Sequence, residues 1–163
     1  MLNGKISIDD PRADDVRGLL ERHLAFNNAQ SPPEDVHALD VEELLDPSVT
    51  FFSFRDDGEL LGVGAVKELD RRHAEVKSMH TAQAARGRGV ARAILDHILA
   101  VARERGYARI SLETGTMEAF APARTLYATA GFTACEPFGE YRPSPNSTFM
   151  TLSLNGAEPT AAG

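Results

Sequence analysis

The chain has a single cysteine, Cys135, so no disulfide can form within it. That usage fits a reducing cytoplasm, and a cytoplasmic location is expected. A lone cysteine in an apolar stretch reads as a small buried hydrophobe rather than a nucleophile. Long apolar runs are also missing. Nothing approaches the ~20 consecutive apolar residues that crossing a bilayer requires, so no membrane partner is expected. Residues Met1 to Ile6 lack a basic stretch leading into an apolar core, so no secretory leader is expected there. Positive charge is scarce: 17 Lys and Arg against 24 Asp and Glu give a formal net charge of −7. That argues against nucleic acid, whose binding depends on neutralising phosphates with clustered cations. No His-x-x-Glu-His or paired-cysteine spacing occurs, and His73 and His80 are expected on opposite faces of one strand, so no metal is expected.

What remains is an ordinary apolar content spread over 163 residues, enough for one domain. Lys5 to Ile8 alternates as a short strand. Asp9-Asp10-Pro11 reads as a helix start, with Val16, Leu19, Leu20 and Leu24 at helical spacing until Ser31-Pro32-Pro33. Asp40 can cap a short helix through Leu45. Val49–Phe54 and Leu60–Leu69 read as strands joined at Asp56-Asp57-Gly58. Ala74–Thr81 is a strand with Glu75, Lys77 and Met79 expected on one face and Val76, Ser78 and His80 on the other. Gly89–Arg103 carries the clearest helical stripe, Val90, Ile94, Ile98 and Val101, stopped by Gly106. A strand over Ala108–Glu113, a helix over Ala119–Thr129 and strands from Phe132 and over Phe149–Leu154 complete the order. The fold class is mixed α/β or α+β in one domain, residues 1–155, with a disordered tail over 156–163.

The segment between the Ala74–Thr81 strand and the long helix carries the chemistry. Arg86-Gly87-Arg88-Gly89-Val90-Ala91 places two glycines where the helix begins. Glycine lets a ligand approach the backbone, and the first N–H groups of a helix lack carbonyl partners at its positive dipole end. Phosphate suits such an end, and Arg86, Arg88 and Arg92 add cations. A purely structural turn is the plain alternative. Two rival phosphate loops fail. A dinucleotide fingerprint needs glycine where Arg92 stands, and no Gly-Lys-Ser/Thr occurs for a P-loop.

Arg86-x-x-Gly89-x-Ala91 resembles the acetyl-CoA signature of the GNAT superfamily of N-acetyltransferases. Ala123-x-x-Leu126-Tyr127-x-x-x-Gly131-Phe132 resembles its second signature, at the expected distance. Lys77-Ser78-Met79, Glu113-Thr114-Gly115 and Phe138-Gly139-x-Tyr141 are similar to a bacterial branch of that family whose acceptor they do not name. Phe120 departs from the pattern, which often has Asn there to contact the cofactor arm.

The resemblance implies a GNAT fold, a mixed sheet of about six or seven strands whose two central parallel strands splay apart around acetyl-CoA. It implies that the main chain of Met79 and Thr81 pairs with the cofactor arm. The amide of Met79 or His80 would polarise the thioester, and the N–H groups of Arg86 through Ala91 would hold the pyrophosphate. Tyr127, at the motif tyrosine, would be the acid for the leaving thiolate; a ring packed on the sheet is the plain alternative. Glu75, then Glu113, then His73 are the candidates to take the amine's proton, each with surface charge as its plain reading. Acceptor contacts would come from His37, Tyr141, Arg142 and Asn146; Arg142 would grip a carboxylate or, more simply, face solvent. The implied reaction is N-acetylation of a small amine, with acetyl-CoA as acyl donor and no metal. A CoA-binding sensor without catalysis and a protein-lysine acetyltransferase are the alternatives. A homodimer paired through the final strands is compatible with the resemblance.

Overall fold

The computed structural model describes residues 4–30, 41–139 and 141–154, with side chains in the first stretch over 4–22. The expected tail, the Asp40 cap and His37 lie outside these residues. Strand β1 spans Lys5–Ile8. Helix α1 spans Asp14–Gln30 and α2 spans Val41–Leu44. The meander β2 (Val49–Asp56), β3 (Glu59–Asp70) and β4 (His73–Thr81) follows. Then come α3 (Val90–Glu104), β5 (Arg109–Gly115), α4 (Ala121–Thr129), β6 (Thr133–Ala134) and β7 (Ser147–Ser153). Seven strands form one sheet in the order β1-β2-β3-β4-β5-β7-β6. Every neighbouring pair is antiparallel except the central β4–β5. The expected element order and mixed sheet are those observed.

Alternation along the strands makes two buried layers. Phe52, Phe54, Val66, Val76, Ile110 and Leu112 pack toward α3 and Tyr127 of α4. Phe51, Val63 and Ala65 pack on the opposite face with Val16, Leu19 and Leu20 of α1 and Leu44 of α2. Ile94, Leu95 and Ile98 have no exposed surface. Burying each such side chain contributes roughly 1.5–3 kcal/mol. These fix α3 on the sheet. Gly62 and Gly64 of β3 let it come close: a Cβ on Gly62 would lie 2.8 Å from Val90 Cγ1, and one on Gly64 2.7 Å from Ile94 Cγ2. The start of α3 is thereby set just beyond the end of β4.

Helix α1 begins later than Asp9. Asp10 instead accepts the main-chain N–H and guanidinium of Arg12 in the preceding turn. Arg55 of β2 then ties the helix start to the sheet, donating to Asp15 at 2.6 Å and Asp9 at 3.0 Å. Helix α4 likewise begins at Ala121 after a 3₁₀ turn over Glu118–Phe120, because Pro122 suits the first helical turn. Among the described residues no helix is long and apolar enough to cross a membrane.

Candidate functional site: a split between parallel strands and the helix start beyond it

The β4–β5 ladder is short. His73, Ala74 and Glu75 pair with Arg109, Ile110 and Ser111, and pairing then stops. Beyond that point β4 keeps only β3 and β5 keeps only β7, so their facing edges open into a gap. A bulge accompanies the parting. Lys77 lies opposite Ala65 and His80 opposite Val63, so Ser78 and Met79 together face Gly64. Ser78 has φ of +57°, a left-handed conformation uncommon for a residue with a Cβ.

The extra residue corrects two expectations. It shifts the alternation by one, so Met79 leaves the face of Glu75 and Lys77. Its Sδ lies on the α3 side, 2.7 Å from where a Gly64 Cβ would be. His80, paired with Val63 of the α1-side layer, shares a face with His73 rather than opposing it. No sequence signal marks the bulge, since serine has no preference for positive φ.

At the far end of β4 the chain makes a 3₁₀ turn over Gln83–Ala85 and reaches the glycines. Gly87 has φ of +77° and Gly89, the α3 N-cap, +83°, so both need the freedom glycine has. Gly89 supplies no side-chain cap, and the first helical bond is Ala93 N–H to Gly89 C=O at 3.0 Å. Among the described residues, the main-chain N–H groups from Gly87 through Arg92 find no acceptor. Six donors converge at the positive end of a 15-residue helix. A diphosphate fits that donor set. Arg86 and Arg88 are exposed beside it. Arg92 is exposed too, but its Nε donates to Asp96 at 2.9 Å, an i,i+4 pair that occupies one of the three expected cations. The side chain of Val90 is buried, leaving only its N–H for a ligand.

Tyr127 is buried on the α3 side of the sheet, its ring edge-on to Phe132 at 5.7 Å. Its hydroxyl has no hydrogen bond among the described residues, and burial raises its pKa well above that of a free phenol. It therefore holds its proton firmly. Phe120 lies against the end of β5, where a Cβ on Gly115 would come within 2.4 Å of its ring. Arg124 Nη1 secures this turn by donating to the carbonyls of Gly115 (2.7 Å) and Met117 (3.0 Å).

The α1-side face of the split is polar. Glu75 is 3% exposed, and its Oε2 accepts from Tyr141 OH at 2.5 Å and from Lys77 Nζ at 3.1 Å. Lys77 also donates to the Tyr141 oxygen at 2.8 Å, closing a triangle. The Tyr141 ring is held by Phe138 (5.1 Å) and Phe149 (5.6 Å). Burial first, then the charge of Glu75, raises the Tyr141 pKa, so this phenol stays a donor. Ser111 is buried beside Glu75 and links His73 Nε2 (2.7 Å) to Thr151 Oγ1 (2.8 Å). Burial lowers the His73 pKa, with Arg109 adding to the effect, which favours the neutral imidazole. Glu113, two residues past Ser111 and on the same face, is half-buried.

Of the sequence-predicted acceptor contacts, Tyr141 is at the split. Arg142 is exposed, and Asn146 is half-buried in the turn before β7, where its carbonyl accepts from Thr116 N–H. Lys77 was not among the expected residues. Its two-residue spacing from Glu75 was the available signal, because it puts both side chains on one face.

The acetyltransferase (GNAT) family model matches residues 16–132. The chain is 50% identical over 149 residues to the uncharacterized N-acetyltransferase YsnE of Bacillus subtilis, covering 91% of this chain and 99% of that one. It is 48% identical over 149 residues to the uncharacterized N-acetyltransferase YedL of Escherichia coli, covering 91% and 94%. A GNAT family acetyltransferase from Elizabethkingia anophelis, solved with acetyl-CoA bound, shares the fold at a TM-score of 0.68 and 15% identity, over 94% of this chain and 99% of that one.

Proposed function

The chain belongs to the acetyltransferase (GNAT) family and is an acetyl-CoA-dependent N-acetyltransferase, and on that footing we propose that its acceptor is the primary amine of a small molecule, attacked directly in a ternary complex. The observation that carries this reading is the alignment of two features along β4. The split exposes strand edges that can receive an extended cofactor arm, and six N–H groups without an acceptor among the described residues lie just beyond its open end. A diphosphate held at Gly87–Arg92 would place the thioester back along β4, near the bulge at Ser78 and Met79. A main-chain N–H of Met79 or His80 would there polarise the carbonyl.

In the step itself the neutral amine attacks the thioester carbon, a C–N bond forms, and the C–S bond breaks as the tetrahedral oxyanion collapses. The amine's proton passes to Glu75, whose Oε2 is held by Lys77 and Tyr141 while Oε1 takes no donor among the described residues. The departing thiolate takes a proton from Tyr127, a buried phenol whose hydroxyl has no hydrogen bond among the described residues. A small acceptor is favoured because Tyr141, clamped between Phe138 and Phe149, closes the face beneath the split. The reading is tested by incubating the protein with acetyl-CoA and a panel of amines and following free thiol. Turnover with small amines and none with lysine-bearing peptides is expected. Acetyl-CoA binding without thiol release across the panel would leave a cofactor-binding sensor, and turnover on peptides alone a protein acetyltransferase.

A further inference from the structure

At the apex of the split two open valences stand side by side. Lys77 is the first side chain on the α1-side face beyond the last β4–β5 pair, which Glu75 makes with Ser111. Across on β3 its neighbour is Ala65, too small to cover it. The ammonium has three protons. Glu75 Oε2 and Tyr141 OH take two, and among the described residues nothing takes the third. Glu75 is complementary. Both donors go to Oε2, and among the described residues Oε1 receives none. Oε1 is not sealed off, unlike the buried, unpaired hydroxyls of Ser78 and Ser147. The apex thus offers one N–H donor and one carboxylate oxygen.

Their separation is bounded. Nζ lies 3.1 Å from Oε2, and Oε1 is only a carboxylate's width, about 2 Å, further on. No more than about 5 Å therefore divides the open donor from the open acceptor, with hydrogen bonds of about 2.8 Å added at each end. A ligand that meets both must carry an oxygen acceptor and an amine donor within a few ångströms of each other. One or two intervening carbons give that distance.

Charge narrows the class further. The side chains of Lys77 and Glu75 are only 9% and 4% exposed, and together they are neutral. A monoamine would bring an uncompensated cation to this nearly dry spot, and a carboxylate without an amine an uncompensated anion, each at a desolvation cost. A zwitterion brings neither. Its ammonium meets Glu75 Oε1 and its carboxylate meets the third proton of Lys77.

We infer that the acceptor is an α- or β-amino acid, with Lys77 as the residue that recognises its carboxylate and Tyr141 as the positioning residue that turns Glu75 Oε1 toward the amine. The inference rests on the proposed transfer to a small amine and narrows it. It moves carboxylate recognition from exposed Arg142 to the buried ammonium.

The test compares amino acids with their methyl esters and their decarboxylated amines, read as free-thiol release from acetyl-CoA. For the wild type, kcat/KM should favour the free acid at least 30-fold over its ester. In Lys77→Met this preference should collapse to under 3-fold, and in Lys77→Arg a preference should remain. Should Lys77→Met fold poorly, the neutral pair Glu75→Gln/Lys77→Met keeps the packing and should bind acid and ester alike in calorimetry. An ester or decarboxylated amine used as well as the acid, or a preference that survives loss of Lys77, overturns the inference while leaving amine acetylation intact. If no acceptor releases thiol, the proposed transfer fails and binding decides. Saturable binding of the acid, but not the ester, to the CoA-loaded protein upholds the inference, and its absence rejects it.

Discussion

Replacing Lys77 with methionine should be far more costly than removing an ordinary surface lysine. Its Nζ lies 3.1 Å from Glu75 Oε2, and the two side chains are 9% and 4% exposed. At an effective dielectric constant of about 20, two unit charges at that distance attract by about 5 kcal/mol, against which stands the loss of hydration. Replacing such a pair as a unit costs little, but losing one member strands the other. Lys77→Met leaves a buried carboxylate with only the Tyr141 hydroxyl, at an expected cost of about 3–5 kcal/mol. Against the about 5–15 kcal/mol that typically holds a domain together, that is a large share. With a urea m-value of about 2 kcal/mol/M, the midpoint should fall by about 1.5–2.5 M. Adding Glu75→Gln should restore most of that, because the amide can still accept from Tyr141 without a charge to solvate. A single-variant cost below about 1 kcal/mol, or a double variant with simply added costs, would refute the idea that these charges depend on one another.

Other perturbations address the remaining parts of the site. Gly89→Asp puts a carboxylate and a strained φ at the turn where six N–H groups converge; acetyl-CoA affinity should fall at least 100-fold in calorimetry while the far-ultraviolet circular dichroism is unchanged. Tyr127→Phe removes a hydroxyl that has no hydrogen bond among the described residues; stability and cofactor affinity should hold while turnover slows roughly 100-fold, and an unchanged rate would remove Tyr127 from the chemistry. The depressed pKa of His73 means that, below the ordinary histidine value of 6.5, the unfolded chain binds a proton that the folded one resists. Stability from this group is therefore complete above pH 6.5 and is lost as pH falls toward the folded value, and His73→Asn should flatten that part of a stability profile.

Most of the architecture was legible in the chain because the apolar periods are clean. The stripe through Val90, Ile94 and Ile98 marks α3, and Gly106, with φ of +83°, stops it as expected. The turn that opens α3 was legible because glycine is the residue that tolerates the left-handed φ found at positions 87 and 89. The bulge was not, because Ser78 takes a left-handed φ that tertiary context imposes, and a one-residue shift turns every following side chain over. That moved Met79 to the helix side and His80 to the other. The Arg92–Asp96 pair was readable from its spacing of four and reduces the free positive charge at the turn. The convergence of Tyr141 on Glu75 and Lys77 joins residues more than sixty positions apart, and no local pattern encodes it.

Titrating acetyl-CoA into ¹⁵N-labelled protein tests the central claim most directly, by reading the amide signals of Gly87 through Arg92. Saturable shifts concentrated on those amides, with smaller ones along Met79 to Thr81, are the predicted result. Binding of the cofactor that leaves the Gly87–Arg92 amides unmoved would contradict the account.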